Sequence, residues 1–396
     1  MKLIHRLYCK ILLIATAISY KFVKRDNNLW VFGEWFGNRC SDNSLYFANY
    51  VKENYPHIRV VWISKALADL SPLNKAIECF NMDTSEAHHI LKHAGVICVN
   101  EEIVDLTEKS NAYFSGAFSL NLWHGAAWKK VGYDAFQSRF YALSEKLFNS
   151  HFMTSYFLSP STEFDKIAKK AFYKDDGHLI KAGYPRNSIF YDKSSVNDAR
   201  IKFLGYLKRN GYGFVNEDTK ILLYLPTFRD TTSKSFSFNS INEKLFEILL
   251  VEKNAIVIEK VHYITGANKE EDTTKNNRII NIIEYNTQEL MAASDALITD
   301  YSSCFFDYLL LDRPIIHYIY DYDFYSKRDR GLYYEKDDIV CGPAPTNTQT
   351  LIQCIADVLN GRDTFSKLRK SRLTKFMDHE SSNSCSIIFN FIQEHL

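Results

Sequence analysis

The sequence predicts an α/β fold built from two successive Rossmann-like domains that face a cleft. Three observations carry this expectation. Short β-rich runs alternate with helical patterns, the signature of a parallel, doubly wound sheet. The alternation stops at a polar helical stretch near residues 197–209 and then begins again. The chain has 396 residues, and at roughly 100–200 residues per domain that length suits two to three domains.

In the first half, Trp30–Gly33 reads as a strand, Ser44–Lys52 as a helix and Arg59–Ile63 as a strand. Ala87–Ala94 reads as a helix, Val96–Val99 and Leu120–Trp123 as strands, and Ser138–Asn149 as helical. Thr154–Leu158 (strand), Thr162–Phe172 (helix) and His178–Ala182 (strand) complete it. After the join near 185–215, Lys220–Leu225 is a buried-type strand and Asn242–Val251 a helix. Ala255–Glu259 and Arg278–Ile283 follow as strands, and Thr287–Ala293 as a helix. Ala296–Thr299 is a strand, Ser303–Leu311 a helix, Pro314–Ile319 a strand and Thr348–Leu359 a helix. The expected organisation is a leading segment over 1–25, one domain over 26–195 and another over 196–396.

Composition is that of a globular protein and excludes a disordered, collagenous or coiled-coil chain. The 48 Lys+Arg against 47 Asp+Glu exclude a wholly basic nucleic-acid binder. The balance hides an asymmetry. Residues 1–25 hold six bases (Lys2, Arg6, Lys10, Lys21, Lys24, Arg25) and no acid, so the net +1 combines a +6 segment with a −5 body. Within it, Ile11–Tyr20 is an apolar run of ten residues, and a spanning helix needs about 20. Tyr20-Lys21 lacks the small residues of a signal-peptidase site. The segment reads as a helix lying on an anionic inner leaflet, or as one packed on the protein's own surface. The eight cysteines show no metal-ligand spacing and read as reduced, mostly buried thiols of a cytosolic protein. No metal site is expected.

Ligands of doubly wound sheets bind beyond the carboxyl ends of the strands. His124-Gly125 follows one such end, where an imidazole suits proton abstraction from a hydroxyl, although a lone His is more often structural. Lys260 and His262 share a face at another end and suit a phosphate, or a merely solvated strand terminus. Thr299-Asp300-Tyr301-Ser302-Ser303 joins a strand to a helix, either as a diphosphate seat or as a simple N-cap. Asp307 lies one turn on, toward a ribose hydroxyl or solvent. Thr227 and Arg229 follow Leu225-Pro226, where Arg229 forks onto phosphate or pairs with Asp230. Gly183–Asn187 is a turn, and Asp312-Arg313-Pro314 another marked segment. Together, His, Lys, Arg, Ser and Thr at strand ends of both halves fit transfer of a phosphorylated group from a nucleotide.

Asn121-Leu-Trp-His-Gly-Ala-Ala-Trp-Lys-Lys-Val-Gly-Tyr-Asp134, Gly183–Asn187, Tyr224-Leu-Pro-Thr-Phe-Arg229 and Leu297–Asp307 through Arg313-Pro314 resemble the CDP-glycerol glycerophosphotransferase family, from about Trp30 to about Leu359. The resemblance implies a GT-B-like fold, no organic cofactor and a peripheral place on the cytoplasmic face of the membrane. It implies that His124 is the general base toward the acceptor and that His262 is a second catalytic histidine, in contact with donor phosphate. It sets Thr227, Arg229, Ser302 and Ser303 near the donor phosphates, with Asp300 and Asp307 in the same segment, and Lys260, read from its strand end, completes the expected donor-binding group. Domain 26–195 then serves the acceptor and 196–396 the CDP-alditol. Ala126-Ala127 departs from the Thr-Pro that often follows the family's His-Gly.

The implied reaction is transfer of glycerol phosphate from CDP-glycerol to a lipid-linked or polysaccharide acceptor, with release of CMP, in teichoic-acid-like or capsular polymer synthesis. CDP-ribitol is the rival donor. A GT-B sugar-nucleotide glycosyltransferase and a non-enzymatic membrane scaffold are the readings from other classes.

Overall fold

The computed structural model describes residues 2–136, 138, 143, 154–227, 236–241, 244–260, 278–328 and 331–396. The expected helix over 138–149 falls almost entirely outside them. The chain forms two compact units: Met1–His124, Val131–Ser188 and Asp378–Leu396 make the first, and Gly125–Lys130 with Ile189–Met377 the second.

The first unit opens with helix α1 (Lys2–Lys21). Then come β1 (Asp26–Phe32), α2 (Asn43–Asn54), β2 (Arg59–Ser64), β3 (Glu78–Asn81), α3 (Ser85–His93), β4 (Ala94–Val99) and β5 (Phe118–Asn121). β6 (Tyr156–Ser159), α4 (Thr162–Ala171) and β7 (Leu179–Lys181) follow. The seven strands run in the order β3-β2-β1-β4-β5-β6-β7, with every described pairing parallel. β2 and β4 are buried almost throughout, and β1 is buried from Leu29 onward, as both faces of a parallel sheet are. Leu29, Val31, Val61, Ile63, Ile97 and Val99 lie in one core with Ala87, Ile90 and Leu91 of α3.

The second unit contains α5 (Lys193–Arg209), β8 (Lys220–Leu225), α6 (Lys244–Glu252), β9 (Ala255–Lys260), β10 (Ile279–Ile282), α7 (Thr287–Ala293), β11 (Ala296–Thr299), α8 (Cys304–Tyr308) and β12 (Ile315–His317). Helices α9 (Tyr322–Arg328), α10 (Lys336–Ile339), α11 (Thr348–Leu359) and α12 (Ser366–Phe376) complete it. Its parallel sheet has the order β10-β9-β8-β11-β12. Leu222, Val257, Ile298 and Ile316 form its core with Phe246 and Leu250 of α6 and Leu351 and Ile355 of α11. Side-chain caps start many helices, as at Thr84, Ser161, Asp192, Asn286 and Asn347.

Two features differ from the sequence expectation. β3 is an edge strand with largely exposed side chains, so it lacks the apolar run that marks its neighbours. The chain's end, including α13 (Ser384–Glu394), returns to the first unit. There Phe389 stacks on Tyr55 and Trp30, at centroid distances of 3.6 and 5.4 Å. Gly183 belongs to this return: a Cβ there would strike the Glu380 carboxylate, which accepts from the N–H of Tyr184 and from Asn187 Nδ2, both at 2.8 Å.

Helix α1 has two faces. Leu13, Thr16, Ala17 and Tyr20 are partly covered. Ser115 donates to the Ala17 carbonyl at 2.6 Å, and Tyr20 lies 5.3 Å from Tyr113. Below it the Arg25 guanidinium donates to the carbonyls of Leu91, Ala94, Tyr113 and Ser115. The other face exposes Ile11, Ile14 and Ile18, and Phe22 just past the helix end is exposed as well. Among the described residues, no helix is long and apolar enough to cross a membrane.

Candidate functional site

In the first sheet the strand order reverses between β1 and β4, the position where open α/β sheets bind ligands. The turn that follows neighbouring β5 carries His124. Trp123 adopts a left-handed φ of 54°, which for a bulky residue costs about 1–3 kcal/mol and must be held by its surroundings. Asn121 Oδ1 accepts the Trp123 N–H at 2.8 Å, and Asn43 Nδ2 donates to the Trp123 carbonyl at 2.7 Å. Asn121 Nδ2 donates to the Glu101 carbonyl at 2.6 Å, tying the β5 turn to the β4 turn.

This places His124 Nδ1, a buried atom, 3.0 Å from Glu101 Oε1. The separation is that of an ion pair, without the alignment of a formed hydrogen bond. Such contacts often tighten only once substrate is bound. The ring lies against Trp123 and Trp35, at centroid distances of 4.2 and 5.6 Å. Trp35 and Phe36 are also left-handed, with φ 49° and 56°. Trp35 Nε1 donates to Asp42 Oδ2 at 3.0 Å, and Asp42 Oδ1 pairs with buried Arg186 at 2.7 Å.

Beneath these loops lie buried carboxyls. Asp105 accepts the N–H groups of Phe36, Asn100 and Glu101 at 2.7–2.9 Å, and burial pushes its pKa up to about 6. Burial pushes Glu34 well above the carboxylate range, with Asp42 adding repulsion, although it accepts from the N–H of Ser41 and Asp42. Glu102 is raised by burial, while Lys174 near it is lowered by the same cause.

The second sheet reverses between β8 and β11, and Thr227, Asp300, Ser302 and Ser303 follow those two strands. Asp300 is buried and accepts the N–H groups of Thr227 at 2.8 Å and Tyr301 at 2.6 Å. Thr299 Oγ1 donates to the Leu225 carbonyl at 2.7 Å, locking the two strand ends together. Thr227 Oγ1 is buried and has no hydrogen-bond partner among the described residues. Ser302 and Ser303 remain partly exposed, and Ser303 caps α8 without a side-chain bond. Tyr301 packs on Tyr325 and Trp128, at 3.9 and 5.5 Å.

Other expected site residues stand apart from this group. The Lys260 ammonium donates to the carbonyls of Tyr285 at 2.7 Å and Ile283 at 3.3 Å, holding the loop after β10. Asp307 is buried and accepts from Gln288 of α7 at 3.2 Å, which turns it inward. Asp312-Arg313 forms scaffold: Asp312 pairs with buried Arg369 at 3.0 Å, and Arg313 donates to the Ala292 carbonyl at 2.7 Å. Arg229 and His262 lie outside the described residues. Among the described residues, no group of three His, Cys, Asp or Glu is arranged to hold a metal ion. Cysteines 40, 79, 98, 304, 341, 354 and 385 are free thiols.

Glu101, Asp105 and Asn43 belong to no motif legible in the sequence. The one signal for Glu101 was its place two residues past the end of a predicted strand, and that pointed to nothing until β4 was paired with β5.

The chain is 26% identical over 363 residues to a teichoic acid poly(glycerol phosphate) polymerase of Staphylococcus epidermidis, covering 88% of this chain and 47% of the relative. It therefore spans about half the length of that protein. It is 26% identical over 384 residues to a teichoic acid glycerol-phosphate transferase of Staphylococcus aureus, covering 92% of this chain and 93% of the relative. In fold it matches the wall teichoic acid polymerase TagF with a TM-score of 0.78 at 22% identity, over 100% of this chain and 97% of that one. The GT-B-like α/β fold is thereby established. The model of CDP-glycerol:poly(glycerophosphate) glycerophosphotransferases matches residues 15–394, and the chain belongs to that family.

Proposed function

We propose that this protein transfers glycerol phosphate from CDP-glycerol to a hydroxyl of a lipid-linked or polymeric acceptor in teichoic-acid-like or capsular polymer synthesis. Family membership supports the reaction class. The structural observation that carries it is the group at the β8–β11 reversal. There a buried Thr227 hydroxyl, without a described partner, and the partly exposed Ser302 and Ser303 follow two paired strands. Hydroxyls and backbone N–H groups at such strand ends suit a diphosphate.

In this reading His124 takes the proton of the acceptor hydroxyl. The oxygen attacks the β-phosphorus and a new P–O bond forms. The bond from that phosphorus to the bridging oxygen breaks, and CMP leaves. The second unit holds the donor through Thr227, Ser302 and Ser303, with Arg229 and His262 assigned to the same task. Asp300 acts by fixing Thr227 and Tyr301. Catalysis of this kind rests on positioning and charge stabilisation. Helix α1, basic and with one apolar face uncovered, holds the protein at the anionic cytoplasmic leaflet.

The test is incubation of the purified protein with labelled CDP-glycerol or CDP-ribitol and a lipid-linked acceptor. The released nucleotide is identified and the product sized. CMP release with CDP-glycerol is expected, whereas a nucleoside diphosphate from a sugar nucleotide would assign a glycosyltransferase. His124→Ala is expected to lose about 10²–10⁴-fold in turnover and to keep donor binding. Near-normal turnover in that variant removes the base role.

A further inference from the structure

We propose that Glu101 is a positioning residue that orients His124 and sets its tautomer, an inference that rests on His124 being the base. The geometry is specific. Nδ1 is buried and faces Glu101 Oε1 at 3.0 Å, so it cannot also reach an acceptor hydroxyl. A proton held on Nδ1 by a carboxylate leaves Nε2 as the basic nitrogen, since a neutral imidazole carries one N–H.

The other carboxylates of the network have different assignments. Asp42 holds Arg186 and Trp35, and Asp105 holds three backbone N–H groups. Glu34 accepts from the 41–42 loop, and Glu102 faces Asn121, Thr154 and Lys174. Only Glu101 pairs with the imidazole among the described ion pairs. Its loop is pinned on both sides, by its N–H to Asp105 at 2.7 Å and by its carbonyl to Asn121 at 2.6 Å. The same Asn121 fixes the Trp123 N–H next to His124. One asparagine therefore sets the registry of acid and imidazole together.

The experiment uses the full chain with CDP-glycerol and a membrane-borne acceptor, and compares wild type, Glu101→Gln, Glu101→Asp and His124→Ala. Glu101→Gln is expected to lower kcat by about 10- to 1,000-fold while leaving KM for CDP-glycerol within about twofold. The acid limb of kcat/KM should move to lower pH, because the lost carboxylate no longer favours the imidazolium. Glu101→Asp should restore the position of that limb. The ¹⁵N shifts of His124 in the wild-type protein, assigned by their loss in His124→Ala, should report a proton on Nδ1, and this readout does not depend on Glu101→Gln folding. An Nε2-protonated neutral ring overturns the inference. Inactive His124→Ala beside a Glu101→Gln enzyme with wild-type kcat and acid limb overturns the inference alone. His124→Ala with near-normal turnover overturns the base reading, and the inference with it.

Discussion

Asp300 Oδ1 accepts the backbone N–H of Thr227 at 2.8 Å, joining β11 and β8 where the second sheet reverses its order. The same oxygen accepts from Tyr301. Asp300→Ala strands two backbone donors, at about 1–3 kcal/mol for each that stays buried. The expected result is a melting temperature lower by several degrees, together with loss of CDP-glycerol binding in calorimetry. Asp300→Asn keeps a carbonyl acceptor and should lose less of both. An unchanged melting temperature in Asp300→Ala would refute the structural role.

Thr227 separates binding from stability. Its Oγ1 is buried with no partner among the described residues, so the folded protein gains little from it. Thr227→Val keeps the shape and removes the hydroxyl. Stability should hold or rise, and CDP-glycerol should bind about 10- to 100-fold more weakly, the worth of one hydrogen bond to a charged group. Calorimetric titration beside a thermal melt checks both halves. Unaltered affinity would take Thr227 out of the donor site.

Arg369 is buried and pairs with Asp312 at 3.0 Å and Asp363 at 2.6 Å. Arg369→Ala takes the cation from Asp363 and leaves Asp312 only Lys370, 3.3 Å away, at a cost of about 2–3 kcal/mol because both carboxylates are partly exposed. Arg369→Lys should recover little, since a single ammonium cannot reproduce the guanidinium fork. Urea denaturation followed by fluorescence measures both. A loss below about 1 kcal/mol in Arg369→Ala would contradict the anchoring of α12 by these two pairs.

Asp192 caps α5 by accepting from the N–H and hydroxyl groups of Ser194 and Ser195, which holds its carboxyl far below the usual range. A depressed folded pKa gives stability that is present above the unfolded value, about 3.9, and is lost as pH falls through the folded one. Asp192→Ala should therefore melt below wild type at pH 7. The gap should shrink progressively below pH about 4. A gap that is constant with pH would mean that the cap is not electrostatic.

The uncovered face of α1 is testable on vesicles. Ile14→Glu with Ile18→Glu adds charge to exposed positions and disturbs no described core. Full burial of each isoleucine is worth about 1.5–3 kcal/mol, so binding to phosphatidylglycerol vesicles should weaken more than tenfold. Co-sedimentation measures it, and raised salt should weaken wild type too. Removal of residues 1–25 with full retention on vesicles would exclude the helix as the anchor.

By itself, the sequence determined what local chemistry can express. Apolar runs marked most strands of both sheets, because a parallel strand buried on both faces needs such a run whatever its neighbours are. Strand ends drew attention to His124, Thr227 and Ser302 for the same local reason. Tertiary structure decided which of these act together. Neighbouring parallel strands are distant in the chain, so nothing near His124 in sequence named Glu101, and only the pairing of β4 with β5 brought them to 3.0 Å. Packing also turned Asp307 inward to Gln288 and gave the Lys260 ammonium to the carbonyls of Ile283 and Tyr285. It returned α13 to the first unit as well. A side chain's type is set by its codon, but its partner is set by strand order, which no short window of sequence contains.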